Sequence, residues 1–506
     1  MQESYFAQAT AETPEKPSTC GGASDFGVRQ SHSHRPKSCR VKKDLYEYQL
    51  RSNIGDNGHQ QHTSTRPVIY LLDSLLCCRH IAIMVAHLLQ RKSNPDKPSD
   101  LSFRTATTVS DSFRTEIQSA SGNSGPAVDP RYKYHFKVLK KILRKVVARR
   151  SINNEQSKSI PRKLELQLGI DASERHAMLE VIPLRPYDPM ICYLRNVTRV
   201  TSLEGAAEAQ LAIFIAEIAE LYNNDNQFHS FEHATNVMKA VESLFDTINA
   251  QQHRETCEEM HNRTYGIAFD PLVHFTCLLA ALVHDADHPS VPNKQFMEEN
   301  PDLAEKYLRQ SAAEKVSFDH AWDLLMQDRF SALRSSIYGD VEEFQRFRNL
   351  LVNAVMGTDA FDAKLVKLRN ERWTKAFRLE RMTNPKRSMD RKATIVVHYL
   401  LLAADVSHTM SDWITYCRWN EKLFFEMTSA WQYGRSNDEP ALGWYQGEIG
   451  FFDGWVIPLA TQLQGLGIFG SQGEQNIANA KENRRRWEEE GKCVVHAMES
   501  AFENEQ

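Results

Sequence analysis

The chain has 506 residues, which is room for one large catalytic-size domain with an appendage, or for two to three domains of roughly 100–200 residues each. With 41% hydrophobic and 25% charged residues it is neither wholly disordered, collagen-like nor membrane-embedded. The net charge of −4 conceals a division, because residues 1–165 carry 27 Lys and Arg against 15 Asp and Glu while the remainder carries 34 against 50. A basic arm therefore precedes an acidic body and is available to phosphates, anionic lipid or an acidic partner.

In chain order, the first twenty residues contain no apolar stretch of a secretory signal. The nine scattered cysteines include no C-x-x-C pair, so the expected setting is reducing and cytoplasmic, with membrane association left to the arm. Residues 1–130 read as a low-complexity, largely disordered region rich in Ser, Thr, Asn, Gln and Gly. One apolar segment interrupts it at 68–89, where Asp73, Arg79, His80 and His87 favour a buried or interfacial helix over a membrane span.

Residues 131–165 form a basic amphipathic helix and linker. Arg131 to Arg150 holds nine Lys or Arg and no acid around Val138, Leu139, Ile142, Leu143, Val146 and Val147. This pattern suits an anionic membrane surface or a calmodulin-type partner, and equally a helix whose apolar stripe packs on the acidic body. No nucleic-acid motif accompanies it.

From about residue 166 to 500 the periodicity is helical throughout, with no alternating strand runs, so the fold class is all-α. No G-x-G-x-x-G or Walker loop appears. Three charged clusters stand in apolar text. His229 and His233, at i and i+4, can face one site at the start of a helix. His284-Asp285-Ala286-Asp287-His288 ends a hydrophobic run, and Asp405 ends another. Buried acids and imidazoles need partners or a cation, and this donor set suits Zn²⁺, Mn²⁺ or Fe, with carboxylate and water suiting Mg²⁺. Two His and two Asp from three helices can make one four-ligand metal position, with a shared Asp bridging to a second, as in two-metal hydrolysis of phosphodiesters.

The text FHSFEHATNV, ALVHDADHPSVPN, LAEKYL through Glu314, GTDAF, LLLAADVSH, EIGFFDGWVIPLA and NRRRWEEEG resembles the catalytic domain of the class I 3′,5′-cyclic nucleotide phosphodiesterases, over about residues 171–491. The resemblance implies a compact multi-helix catalytic domain that hydrolyses cAMP, cGMP or both to 5′-monophosphates in cyclic nucleotide signalling. It also implies that His233, His284, Asp285 and Asp405 hold a first metal, Zn²⁺, and that Asp285 bridges to a second, Mg²⁺ or Mn²⁺. A bridging hydroxide then attacks phosphorus and His229 acts as general acid. His288 and Glu314 orient metal-bound water, while Leu423 and Phe451 wall the purine.

The chain departs from the family pattern at Ser230, at Ser290, at Lys315-Val316-Ser317, in lacking a His after Asp359, and at Glu448, which stands where the family has a purine-reading Gln. An ionised Glu448 would only accept hydrogen bonds, which leaves the choice between cAMP and cGMP open. Two alternatives remain: an HD-type phosphohydrolase of broader range, and a non-catalytic scaffold that senses cyclic nucleotide.

Overall fold

A computed structural model describes residues 128–152, 175–190, 202–250, 254–360, 362–379 and 384–505, together with 160, 162 and 252. The segment expected at 68–89 and the expected low-complexity arm lie outside these residues. Among the described residues there is no strand, and no helix is long and apolar enough to cross a membrane.

Eleven of the longer helices carry the architecture: α1 (Lys133–Ile152), α2 (Gly205–Glu220), α3 (Phe231–Asn249), α4 (Pro271–Val283), α5 (Ala312–Leu325), α6 (Val341–Met356), α7 (Pro385–Asp405), α8 (Trp413–Gln432), α9 (Pro440–Phe451), α10 (Ile457–Gly465) and α11 (Gly470–Glu505).

The starts of the helices follow local chemistry. Ser230 caps α3, its hydroxyl accepting from His233 N, and Asp412 caps α8 by accepting from Thr415 N at 3.0 Å. Asp270 caps α4 by accepting from the Leu272 and Val273 amides at 3.2 and 3.3 Å, with Pro271 in the first turn, where its missing N–H costs nothing.

Two helices form the centre of the core. Every residue of α4 from Leu272 to Val283 is buried, as is every residue of α7 from Ala393 to Asp405, which is how a helix apolar on all sides is accommodated. α4 lies against α1, α3 and α6, while α7 lies against α3 and α10. The basic amphipathic helix is part of this core. Val138, Leu139, Ile142, Leu143 and Val146 of α1 join the same apolar cluster as α3, α4 and α7, each contributing roughly 1.5–3 kcal/mol through burial. Of the two uses open to that stripe, packing on the body is the one the structure contains.

Candidate metal centre and adjoining cleft

The packing brings three helix ends together. α4 ends at Val283 with His284 as its C-cap and Asp285 next, α7 ends at Asp405, and α3 begins with His233 in its first turn. Ligand atoms of His233, His284, Asp285 and Asp405 all lie within 4.8 Å of one another. His233 Nε2 is 3.0 Å from Asp405 Oδ1 and 3.6 Å from Asp285 Oδ2. His284 Nε2 is 3.0 Å from Asp285 Oδ2 and 3.5 Å from Asp405 Oδ1.

The donors fit a divalent cation. His284 Nδ1 donates to Ala281 O at 3.0 Å, which leaves Nε2 to act as a ligand. His284 Nε2 and Asp405 Oδ2 are buried without a hydrogen-bond partner among the described residues. Two carboxylates at helix C-termini also oppose the helix dipole, an arrangement that a cation between them relieves. Burial works against every charge here. Even so, Asp285 and Asp405 hold His284 well above the usual imidazole range, and His233 and His284 hold Asp405 well below the usual carboxylate range.

A cleft with about 490 Å³ of empty space, including that open to solvent, adjoins the cluster. Its walls include Asp285 and Asp405, together with His229, His288, Glu314, Leu423 and Phe451. His229 is held from both sides. Its Nδ1 donates to Glu426 Oε1 at 2.5 Å, and its ring stacks on His288 with centroids 3.7 Å apart. Glu426 Oε2 accepts from the backbone amides of Phe228 and His229 at 2.7 and 3.0 Å. Burial disfavours the imidazolium, but the Glu426 carboxylate overrides it and raises the pKa of His229. Glu426 itself is brought down to about 2 despite its burial, chiefly by His229. Sequence reasoning missed Glu426. Its one signal was an acid inside the apolar run Leu423-Phe424-Phe425-Glu426-Met427.

His288 is pushed down to about 3 by burial and by the neighbouring His229, and its Nδ1 accepts from Ser290 N at 3.3 Å. Burial and the nearby Asp359 push Glu314 up to about 8, and Asn293 Nδ2 donates to its Oε2 at 3.0 Å. The departures from the family pattern find local roles. Ser317 Oγ donates to Ala286 O at 2.7 Å, tying α5 to the turn after Asp285, and Lys315 Nζ donates to Tyr307 O at 2.9 Å. Ser290 has a φ of 57°, a conformation that glycine adopts without cost.

Glu448 is fully buried and does not belong to the cleft walls. Tyr416 Oη donates to its Oε2 at 2.6 Å, and Oε1 has no hydrogen-bond partner among the described residues. Burial pushes its pKa up to about 8, only partly offset by Tyr416. Burial thus favours the neutral carboxyl form, which can both donate and accept, over the carboxylate, which only accepts.

Residues 228–468 match the family described as 3′5′-cyclic nucleotide phosphodiesterase. The chain is 25% identical over 236 residues to a probable 3′,5′-cyclic phosphodiesterase, pde-6, of Caenorhabditis elegans, covering 46% of this chain and 28% of that one. It is 23% identical over 295 residues to the dual specificity calcium/calmodulin-dependent 3′,5′-cyclic nucleotide phosphodiesterase 1 of Drosophila melanogaster, covering 55% and 34%. The matches thus span about a third of those relatives' length. Among solved structures, the phosphodiesterase domain of the RhoPDE fusion protein from the choanoflagellate Salpingoeca rosetta aligns with a TM-score of 0.44 and 17% identity, over 68% of this chain and 95% of that one. The matched residues 228–468 contain the whole His–Asp cluster, His229 and the cleft walls, so the likeness to the 3′5′-cyclic nucleotide phosphodiesterase family falls on the part of the chain that builds the site.

Proposed function

We propose that the chain hydrolyses 3′,5′-cyclic nucleotides, cAMP, cGMP or both, to 5′-monophosphates. The observation that carries this reading is the meeting of His233, His284, Asp285 and Asp405 within 4.8 Å, beside a cleft that also presents His229 and Phe451. The four residues would hold a first cation, Zn²⁺ by donor type, with Asp285 shared with a second, Mg²⁺ or Mn²⁺. When bound, the cations supply charge neutralisation at the phosphoryl oxygens and a lowered pKa for the attacking water.

The chain's own residues do the rest. Cleavage of the P–O3′ bond leaves an oxygen that needs a proton, and His229 is built to deliver it. Nδ1–H stays with Glu426, the raised pKa keeps the ring protonated, and the ring forms part of the cleft wall. His288 and Glu314, on the same cleft, orient water around the cations. Leu423 and Phe451 offer the apolar walls for a purine. Glu448, buried on α9 three residues before the cleft wall Phe451, influences the choice between bases from behind that wall rather than by direct exposure.

For partners, burial of the α1 apolar stripe favours an anionic membrane surface over calmodulin. Calmodulin takes apolar anchors, whereas a charged surface needs only the exposed lysines such as Lys133, Lys137 and Lys141. The reading implies a cytoplasmic protein with peripheral membrane contact.

The test is hydrolysis of cAMP and cGMP by the full-length chain, before and after chelation and on return of Zn²⁺ with Mg²⁺ or Mn²⁺. Chelator-sensitive hydrolysis of at least one is expected. Metal binding without hydrolysis would leave the sensing scaffold, and hydrolysis confined to non-cyclic nucleotides would leave the broader phosphohydrolase.

A further inference from the structure

Helix α1 contributes no ligand to the cation cluster, yet it grips two of the three segments that build it. At its N-terminal end the His135 ring packs on Phe231 with centroids 4.8 Å apart, and its Nε2 lies 2.9 Å from Thr235 Oγ1. Thr235 already donates its hydroxyl proton to Phe231 O at 2.7 Å, so its oxygen accepts from His135 Nε2–H. Phe231 and Thr235 stand two residues to either side of His233. Tyr132 meets Phe231 edge-on at 5.7 Å, and Tyr134 Oη donates to Glu242 farther along α3 at 2.9 Å.

The other end of α1 holds a second ligand helix, α4. Arg149 donates to Phe269 O at 2.7 Å and lies 4.0 Å from Asp270 Oδ1. Asp270 is the N-cap of α4, whose far end presents His284 and Asp285. Arg346 pairs with the second oxygen of Asp270, so the cap is clamped by two guanidinium groups. His135 and Arg149 are both buried, and between them α1 packs along α4. Burial, with Lys239 nearby, pushes His135 down to about 4, so its ring is neutral with Nε2–H as its donor to Thr235.

We infer that α1 is a strut of the metal centre, with His135 and Arg149 as positioning residues that set the turn bearing His233 against the helix presenting His284 and Asp285. Three of the four ligands that must meet within 4.8 Å, His233, His284 and Asp285, lie on segments tied to one common helix, so loosening either tie misplaces donors without removing any. A segment that in sequence looks like a detachable basic arm is thereby part of the catalytic body. The inference rests on the metal reading above.

Its test measures Zn²⁺ affinity of the full-length, cation-stripped chain by chelator competition, with Tm and KM recorded beside it. His135→Leu and Arg149→Met are each expected to weaken Zn²⁺ roughly 2- to 30-fold, the range for residues coupled to a site without touching its ligand. His135→Gln, whose amide can still donate to Thr235, should recover most of the loss, and so should Arg149→Lys. KM at saturating metal should not change, and Ser151→Ala on the exposed side of the same helix should move nothing. Unchanged Zn²⁺ affinity in the Leu and Met variants with only a lowered Tm, or no recovery in the conservative pair, would overturn the strut. Absence of Zn²⁺ binding by the unmutated chain would instead sink the metal reading.

Discussion

Asp405 and Glu448 are both buried carboxyl groups on core helices, and their surroundings push their pKa values in opposite directions. Asp405 meets two imidazoles at 3.0 and 3.5 Å and is held well below the carboxylate range in spite of burial. Glu448 meets one neutral hydroxyl at 2.6 Å, and burial pushes it up to about 8. Burial pushes both carboxyl groups towards the neutral form, and only at Asp405 is that push overcome, because two imidazoles stand within a few ångströms of it. The first environment suits a cation, and the second suits a polar contact that both gives and takes a hydrogen bond.

Breaking the anionic side should have the largest effect. Asp405→Ala should lower hydrolysis roughly 10⁴-fold, the several kcal/mol of cation-derived stabilisation, and should abolish stoichiometric metal in an elemental assay. Retention of both metal and activity would refute the cluster. His229→Gln, which keeps the metal ligands and removes the proton donor, should lower kcat roughly 10³-fold with metal content intact. A leaving group that needs no proton should escape much of that loss.

Glu426→Gln separates position from charge. His229 has a raised pKa in the native chain, so its protonated form is lost as pH rises through that value. Removing the anion should bring this alkaline limb of the kcat profile to lower pH, each unit costing about tenfold in protonated donor above it. An unmoved limb would mean that Glu426 acts through the backbone amides of Phe228 and His229 alone.

The neutral side should respond least in rate and most in its pH dependence. Because the native state keeps the Glu448 proton up to about pH 8 while the unfolded chain releases it near 4.5, stability should fall as pH rises through that interval. Glu448→Gln should flatten that fall, seen as a Tm advantage that grows from pH 5 to pH 8.5, and should change the ratio of kcat/KM for cAMP and cGMP by a few-fold. A parallel pH dependence in both proteins would show that Glu448 is ionised when folded, and an unchanged ratio would remove it from base selection.

Much of the centre was legible in the amino-acid order because charge stands out against apolar text. His284, Asp285 and Asp405 each end a run of aliphatic residues, and His233 sits one turn into an amphipathic helix capped by Ser230. Glu426 was not legible, since a single acid in a long helix more often faces water. Nothing in residues 413–432 says that this one receives two backbone amides and an imidazole from a segment nearly 200 positions earlier. Glu448 was legible in identity, but its burial against Tyr416 was not, because no linear pattern reports which side chains a helix face will meet.

What the sequence determined by itself was the helical class, the metal-type donors and their order, since periodicity and residue chemistry are local properties of the chain. What only the tertiary structure decided was which faces were spent and which groups were ionised. The α1 stripe lies in the core, Glu426 lies under His229, and Glu448 is buried against Tyr416, because burial and through-space charge depend on neighbours that are distant along the chain.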